Sequence, residues 1–122
     1  MLLVEDHPVV SRKLSSMFRD AGLEVDVVET AFEIFKGSIP RPDVIVSKEV
    51  LEGMKGSSAA MMAQGHAATK GIPFVLYDAS GRIERRLFQG DQQPAAVDSL
   101  VLTNEAEAVL EAVNGVLQAL QT

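Results

Sequence analysis

The chain has 122 residues, a length that suits one domain over residues 1–122 with a single hydrophobic core. Acidic side chains outnumber basic ones 17 to 11, and the net charge of −6 disfavours nucleic acid as a partner. The absence of cysteine excludes disulfides, thiolate nucleophiles and cysteine-ligated metals. Because no apolar run approaches the ~20 residues of a membrane span and no signal-peptide pattern is present, we expect a cytoplasmic protein that makes no membrane contact.

Five short apolar runs alternate with longer amphipathic segments along the chain. The runs cover residues 2–4, 25–28, 44–46, 74–77 and 100–102. Continuous apolar runs of this length are typical of strands that are covered on both faces of a parallel sheet.

The segments between these runs have the periodicity of helices. The first helix is predicted to start near Pro8 and to end near Gly22. Thr30 and Glu33 form a capping-box pattern that opens a short helix, which Gly37 can close. Further helices are predicted near residues 57–69 and 81–89. The last helix is predicted to be capped by Asn104, with its apolar face between residues 106 and 120.

Five strands that alternate with five helices predict an α/β fold. The expected architecture is a doubly wound (βα)5 domain, a flavodoxin-like three-layer sandwich with a parallel five-stranded sheet in the order 2-1-3-4-5. Ligand chemistry in such folds gathers at the carboxyl ends of the strands. The residues that follow each apolar run are therefore the candidates for function.

An acidic pair, Glu5 and Asp6, follows the first predicted strand. Two adjacent carboxylates can hold a divalent cation, although acidic residues at a helix start are equally explained by the helix dipole. The same carboxylates argue against a nucleotide or flavin phosphate, which needs a glycine-rich turn with free amides.

Three segments resemble the response-regulator receiver family. Residues 2–8 (LLVEDHP) are similar to the first strand and acidic pair of that family, and residues 42–56 (PDVIVSKEVLEGMKG) to its third strand and glycine-methionine-x-glycine turn. Residues 72–77 (IPFVLY) are similar to its fourth strand. The resemblance covers essentially the whole chain in order and spacing.

The resemblance implies a phosphorylation site that this chain has lost. Receiver domains accept a phosphoryl group from a histidine kinase on an aspartate at the end of the third strand, and Lys48 stands at that position here. The hydroxyl residue expected after the fourth strand is replaced by Asp78, and the lysine expected after the fifth strand by Leu102. Only the acidic pair Glu5 and Asp6, which holds magnesium in the family, is retained. We therefore expect no catalytic residue and no bound cofactor; if any metal binds, Glu5 and Asp6 would hold it.

Lys48 is predicted to lie between the acidic pair on one side and Asp78 on the other. Its ammonium would then replace magnesium as the counter-charge of these carboxylates, which would otherwise repel one another. The alternative places Lys48 in water, where an ion pair contributes only ~0–1 kcal/mol. His7 and His66 are interpreted as surface residues, and Met61 and Met62 as core packing.

A candidate interface follows the fourth predicted strand. It contains three arginines and an aromatic residue, a composition enriched in protein interfaces: Arg82, Arg85, Arg86 and Phe88. The alternative is a solvated helix whose apolar residues, such as Ile83, pack inward.

The sequence therefore predicts a receiver-like signalling module of a two-component-type system, not an enzyme, that acts by protein contact without phosphorylation. Its expected partner is a histidine kinase, an output domain or a second copy in a homodimer, and the domain could belong to a longer signalling protein. Two alternatives stay open. One is an active phosphotransfer receiver with an atypical site, and the other is a domain that senses a small molecule or metal through the acidic cleft.

Overall fold

The computed structural model describes residues 1–37, 39–83 and 96–120. Within these ranges the strands are β1 (Leu2–Val4), β2 (Asp26–Val28), β3 (Ile45–Lys48), β4 (Phe74–Tyr77) and β5 (Ser99–Val101). The helices are α1 (Pro8–Asp20), α2 (Gly56–Gly65) and α3 (Ala106–Ala119), with a short 3-10 helix at Ala31–Phe35. No helix in the described ranges is long and apolar enough to cross a membrane.

The five strands form one parallel sheet in the order β2-β1-β3-β4-β5. One hydrophobic cluster joins the sheet to α2 and the 3-10 helix, and a second joins its other face to α1 and α3. Helices therefore cover both faces, because the strands are apolar on both sides. The predicted fold class and strand order are confirmed.

The first helix begins and ends as its sequence predicts. Pro8 occupies the first turn, where its missing N–H costs nothing. Gly22 has φ +89° just beyond the last turn. Its N–H donates to the Arg19 carbonyl at 2.9 Å, and the Leu23 N–H donates to the Phe18 carbonyl at 3.0 Å. This pair of bonds is the Schellman ending that glycine favours.

One predicted helix cap is misplaced, and the other has the predicted position but lacks its side-chain hydrogen bond. Thr30 precedes the 3-10 helix, but its side chain makes no capping hydrogen bond. The last helix is preceded by Glu105 instead of Asn104, again without a side-chain cap. The Thr103 hydroxyl accepts the Glu105 N–H at 3.2 Å, so a local turn orders the chain before α3. Both patterns located a helix, but neither predicted capping hydrogen bond forms.

Helix α2 is shorter than the predicted 57–69, and its methionines were interpreted wrongly. Its last turn is followed by a turn in which the Thr69 hydroxyl donates to the Ala63 carbonyl at 2.8 Å. Met61 and Met62 are 59% and 52% exposed. The inward face consists of small residues because the helix lies close to the sheet: Gly56, Ser57, Ala59, Ala60 and Ala63.

The fourth predicted helix falls only partly within the described residues. Arg82 and Ile83 are helical, and Ile83 is buried in the core as predicted. The rest of the predicted helix, up to residue 89, lies outside the described residues.

Candidate functional site

The carboxyl ends of the three central strands carry a row of polar side chains, Glu5, Lys48 and Tyr77. Lys48 of β3 pairs with Tyr77 of β4. Leu3 of β1 pairs with Val46 of β3. Glu5 and Lys48 each follow these two residues by two positions, so Glu5 lies in the same row. Because side chains alternate along a strand, the three point to the same face of the sheet. That face is covered by α1 and α3, and the apolar row beneath it is completely buried.

The Lys48 ammonium bridges the two carboxylates that follow β1. Its Nζ lies 2.9 Å from Glu5 Oε2 and 2.5 Å from Asp6 Oδ1. The Glu5 side chain is 1% exposed and that of Lys48 is 24% exposed. Burial by itself would lower the pKa of Lys48, but hydrogen bonds and attraction to both carboxylates outweigh it and raise the pKa. The predicted contact of Lys48 with the acidic pair is thus present.

The buried Glu5 carboxylate has a partner on each oxygen. Its Oε1 accepts the Tyr77 hydroxyl at 2.8 Å, and its Oε2 accepts the His7 backbone N–H at 2.9 Å in addition to Lys48. A buried carboxylate needs this combination of a counter-charge and hydrogen bonds to offset its lost hydration. Burial, together with the negative charge of Glu5, raises the pKa of Tyr77, which keeps the phenol protonated as a donor.

Asp6 is the more exposed member of the acidic pair. Partial burial would raise the pKa of Asp6, but the hydrogen bond and charge of Lys48 outweigh burial and lower it. Asp6 therefore stays ionised beside the ammonium, and both acidic residues are engaged by one cation.

Asp78 does not join this group, so its predicted place beside Lys48 is wrong. Its carboxylate accepts the Ser80 hydroxyl at 2.5 Å, the Ser80 N–H at 2.9 Å and the Ile83 N–H at 3.0 Å. Asp78 follows Tyr77 by one position, and the pleat therefore directs its side chain to the opposite face of the sheet. Burial would raise the pKa of Asp78, but the Ser80 and Ile83 hydrogen bonds outweigh it and lower the pKa.

Glu49 is a buried residue of the site that sequence reasoning missed. Its Oε1 accepts the Ser57 N–H at 2.8 Å and its Oε2 accepts the Ser57 hydroxyl at 3.0 Å. It thereby caps the first turn of α2, where a negative charge is favoured. Glu49 and Ser57 are eight residues apart, which is outside any local capping pattern. The alternation of side chains along the strand does predict that Glu49 lies on the face opposite Lys48.

Gly56 lets α2 begin directly against the tip of β3. A Cβ at this position would lie 2.4 Å from the Lys48 carbonyl oxygen and 2.6 Å from Leu76 Cδ1, closer than any side chain tolerates. The Gly56 N–H also donates to the Glu49 carbonyl at 3.0 Å. The glycine turn identified in the sequence therefore holds the backbone of Lys48 and Glu49 in place.

A cleft of about 410 Å³ lies over the polar row. Lys48, Asp78 and Asn104 contribute polar groups to its wall, and Val10 and Val50 contribute apolar ones. Leu102 is absent from this wall and lines a separate groove between β5 and α3. Among the described residues, no group of three or more acidic or histidine side chains is arranged to hold a metal ion.

Of the four residues of the candidate interface, only Arg82 lies within the described residues. Arg82 is exposed, whereas Arg85, Arg86 and Phe88 lie outside the described residues. His7 and His66 are exposed, as expected.

No family model matches the chain. Protein PilH of Pseudomonas aeruginosa is 26% identical over 118 residues, which cover 96% of each chain. The chemotaxis response regulator CheY4 of Vibrio cholerae superposes with a TM-score of 0.76 at 21% identity, over 94% of this chain and 95% of its own. The chain has the fold of a response-regulator receiver domain.

Two further receiver structures contain magnesium. The receiver domain of a sensor histidine kinase from Pseudomonas aeruginosa, with magnesium in its active-site cleft, has a TM-score of 0.73 at 22% identity over 92% of this chain and 90% of its own. The response regulator TrrA of Thermotoga maritima, in complex with Mg²⁺ and BeF, has a TM-score of 0.74 at 20% identity over 96% and 95%. Both similarities again concern the fold of a receiver domain.

Proposed function

We propose that this chain is a receiver-type module of a two-component signalling system that works by protein contact and has no phosphotransfer chemistry. The observation that carries the proposal is the Lys48 ion pair with Glu5 and Asp6 at the tip of β3. An aspartate must stand there to form an acyl phosphate, and an ammonium cannot form one. The chain is therefore a signalling protein and not an enzyme.

The same ion pair argues against a magnesium site. Oxygen ligands from carboxylates are what magnesium requires, and here both carboxylates of the acidic pair already neutralise an ammonium. A divalent cation in this position would face the like charge of Lys48. The residues present do not fit magnesium.

The other carboxylates near the strand tips are also engaged. Asp78 binds Ser80 and the N–H of Ile83, and Glu49 binds the start of α2. Neither could replace the missing phosphoacceptor without giving up hydrogen bonds that order a loop. The domain therefore signals through a binding surface, and its partner is a kinase, an output domain or a second copy of this chain.

The test is exposure of the protein to acetyl phosphate and Mg²⁺, followed by intact mass measurement. We expect no mass increase from a phosphoryl group, because Lys48 stands where the acceptor would be. A phosphorylated species that maps to the loops around the polar row would contradict the proposal and favour the alternative of an active receiver.

The Lys48→Asp variant is the matched control for the claim that Lys48 prevents Mg²⁺ binding. It places a third carboxylate beside Glu5 and Asp6, so we expect a thermal stabilisation by millimolar Mg²⁺ that EDTA reverses. The natural chain should show no such shift. A Mg²⁺-dependent shift of the natural chain would instead support a metal-sensing function of the cleft.

A further inference from the structure

The loop between β1 and α1 is tied to the sheet differently from the loops that follow β3 and β4. After β3, the Gly56 N–H donates to the Glu49 carbonyl at 3.0 Å, so a main-chain bond closes the loop. After β4, the Asp78 N–H donates to a carbonyl of β5 at 2.8 Å. Within the described ranges, no main-chain hydrogen bond joins Asp6 or His7 to β3 or β4. The polar contacts of this loop with those two strands are therefore made through side chains.

One carboxylate makes most of these side-chain contacts. Glu5 Oε1 accepts the Tyr77 hydroxyl of β4 at 2.8 Å, and Glu5 Oε2 lies 2.9 Å from Lys48 Nζ of β3. The same Oε2 accepts the His7 N–H at 2.9 Å, directly before the first turn of α1. Lys48 Nζ also donates to Asp6 Oδ1 at 2.5 Å. The Glu5 carboxylate therefore connects the start of α1 to the tips of β3 and β4.

These contacts depend on one another because the Glu5 side chain is almost completely buried. It is 1% exposed, and the Lys48 ammonium is the counter-charge that the described residues supply. Without that ammonium, a buried carboxylate must take up a proton or move to water. Either change weakens the acceptor of the Tyr77 hydroxyl and of the His7 N–H. Loss of the Lys48 charge therefore loosens the contacts of the loop with β4 and with α1 as well.

We propose that Lys48 is a positioning residue that locks the β1–α1 loop and the first turn of α1 in one place against β3 and β4. The lock is the set of contacts around the Glu5 carboxylate described above. This inference rests on the proposed function, in which no phosphoryl group or metal acts at this site. It adds how the site is regulated: Lys48 is a permanent internal cation that keeps the site in one conformation.

The lock determines the shape of the cleft over the polar row. His7 and Val10 line the cleft from the loop and from α1, whereas Val50 and Asn104 line it from the segments after β3 and β5. A shift of the start of α1 would therefore change the width of the cleft. A loop that internal contacts already hold loses little conformational entropy when a partner binds. We expect a partner to meet the same cleft wall in the free and the bound protein.

The two ion pairs of Lys48 differ in burial. The Asp6 side chain is 38% exposed, whereas that of Glu5 is almost inaccessible to water. Water and salt screen an exposed ion pair, so the contact with Asp6 contributes little to the lock. The buried contact with Glu5 is screened much less. Asp6→Asn is therefore the matched control for a substitution of Lys48, because it removes a charge from the same cluster and leaves the contacts of Glu5 in place.

Amide hydrogen exchange of the full chain, resolved for single residues by NMR, tests the lock. The reporters are the N–H groups of His7, Ser57 and Ile83, each of which donates to a different carboxylate. In the natural chain we expect the His7 N–H to exchange at least about tenfold more slowly than an unstructured amide. Lys48→Met should accelerate this exchange by at least about tenfold, and Asp6→Asn by less than about threefold.

The other two reporters separate a local lock from a loss of overall stability. Ser57 and Ile83 are held by carboxylates that make no contact with Lys48, so Lys48→Met should accelerate their exchange much less than that of His7. Equal acceleration of all three amides overturns the proposal, because it reports unfolding of the whole chain. An unprotected His7 N–H in the natural chain also overturns it, and that measurement needs no variant.

A second measurement uses the single tyrosine of the chain. Because the sequence contains one tyrosine and no tryptophan, the tyrosine band of the near-ultraviolet circular dichroism spectrum reports on Tyr77 alone. We expect this band in the natural chain and in Asp6→Asn, and the loss of most of it in Lys48→Met, because the phenol loses its fixed acceptor. Tyr77→Phe identifies the band. A band that Lys48→Met leaves unchanged would contradict the coupling of Tyr77 to Lys48.

These outcomes are distinguishable from failure of the proposed function. A phosphoryl adduct in the mass measurement refutes the absence of phosphotransfer. A mobile β1–α1 loop in a chain that takes up no phosphoryl group refutes only the lock.

Discussion

Buried carboxylates lie on both faces of the sheet at its carboxyl end, and the two faces neutralise them differently. On the α1 and α3 face, Glu5 depends on an ammonium 43 residues away in the sequence. On the other face, Asp78 and Glu49 use N–H and hydroxyl groups that are two to eight residues away. Substitution of the single residue Lys48 removes the counter-charge of Glu5, whereas Asp78 accepts hydrogen bonds from several groups and keeps some of them when one is lost.

The largest expected effect comes from the distant ion pair. Lys48→Ala leaves Glu5 buried without a counter-charge, and we expect it to lower the free energy of unfolding by about 3–5 kcal/mol. Urea denaturation at pH 7 measures the change. In the double variant Lys48→Met with Glu5→Gln no charge is stranded, so most of the stability should return. An unchanged unfolding midpoint for Lys48→Ala would show that the ion pair contributes nothing.

A smaller loss is expected on the opposite face. Asp78→Ala removes the acceptor of the Ser80 and Ile83 groups, but these donors are neutral, so the substitution leaves no buried charge without a partner. We expect a loss of about 1–2 kcal/mol, the usual cost of removing a cap. Asp78→Asn keeps one acceptor oxygen and should lose less. A loss larger than that of Lys48→Ala would reverse the proposed ranking of the two faces.

The pH dependence of stability should depend on ionisable groups of both faces. The pKa values of Lys48 and Tyr77 are raised in the folded protein, so their contributions are complete below about pH 10 and are lost as pH rises further. The pKa values of Asp6 and Asp78 are lowered, so their contributions are present above about pH 4 and are lost as pH falls. Stability should therefore form a plateau between these limits.

Two variants test which residues cause the loss of stability at alkaline pH and at acid pH. Tyr77→Phe removes one group with a raised pKa and should flatten the alkaline limb, while Asp78→Asn should flatten the acid limb. Thermal melts from pH 3 to pH 11 at constant ionic strength measure both limbs. If Tyr77→Phe leaves the alkaline limb unchanged, the phenol of Tyr77 does not carry that dependence.

Much of the fold could be predicted from the sequence because its signals are local or periodic. Apolar runs located the five strands to within about two residues, their alternation with helices predicted a doubly wound parallel sheet, and the order 2-1-3-4-5 fits the family resemblance. Pro8 and Gly22 marked the ends of α1 because backbone geometry alone decides those positions. Thr30 holds the predicted N-cap position without a side-chain hydrogen bond, and Glu105 takes the position that was predicted for Asn104.

The sequence by itself determined which residues follow the strands at the carboxyl end of the sheet. The contact of Lys48 with the acidic pair was predicted, but only the tertiary structure decided that Tyr77 binds Glu5 and that Asp78 and Glu49 turn to the other face. The physical reason is that adjacent residues on a strand point in opposite directions.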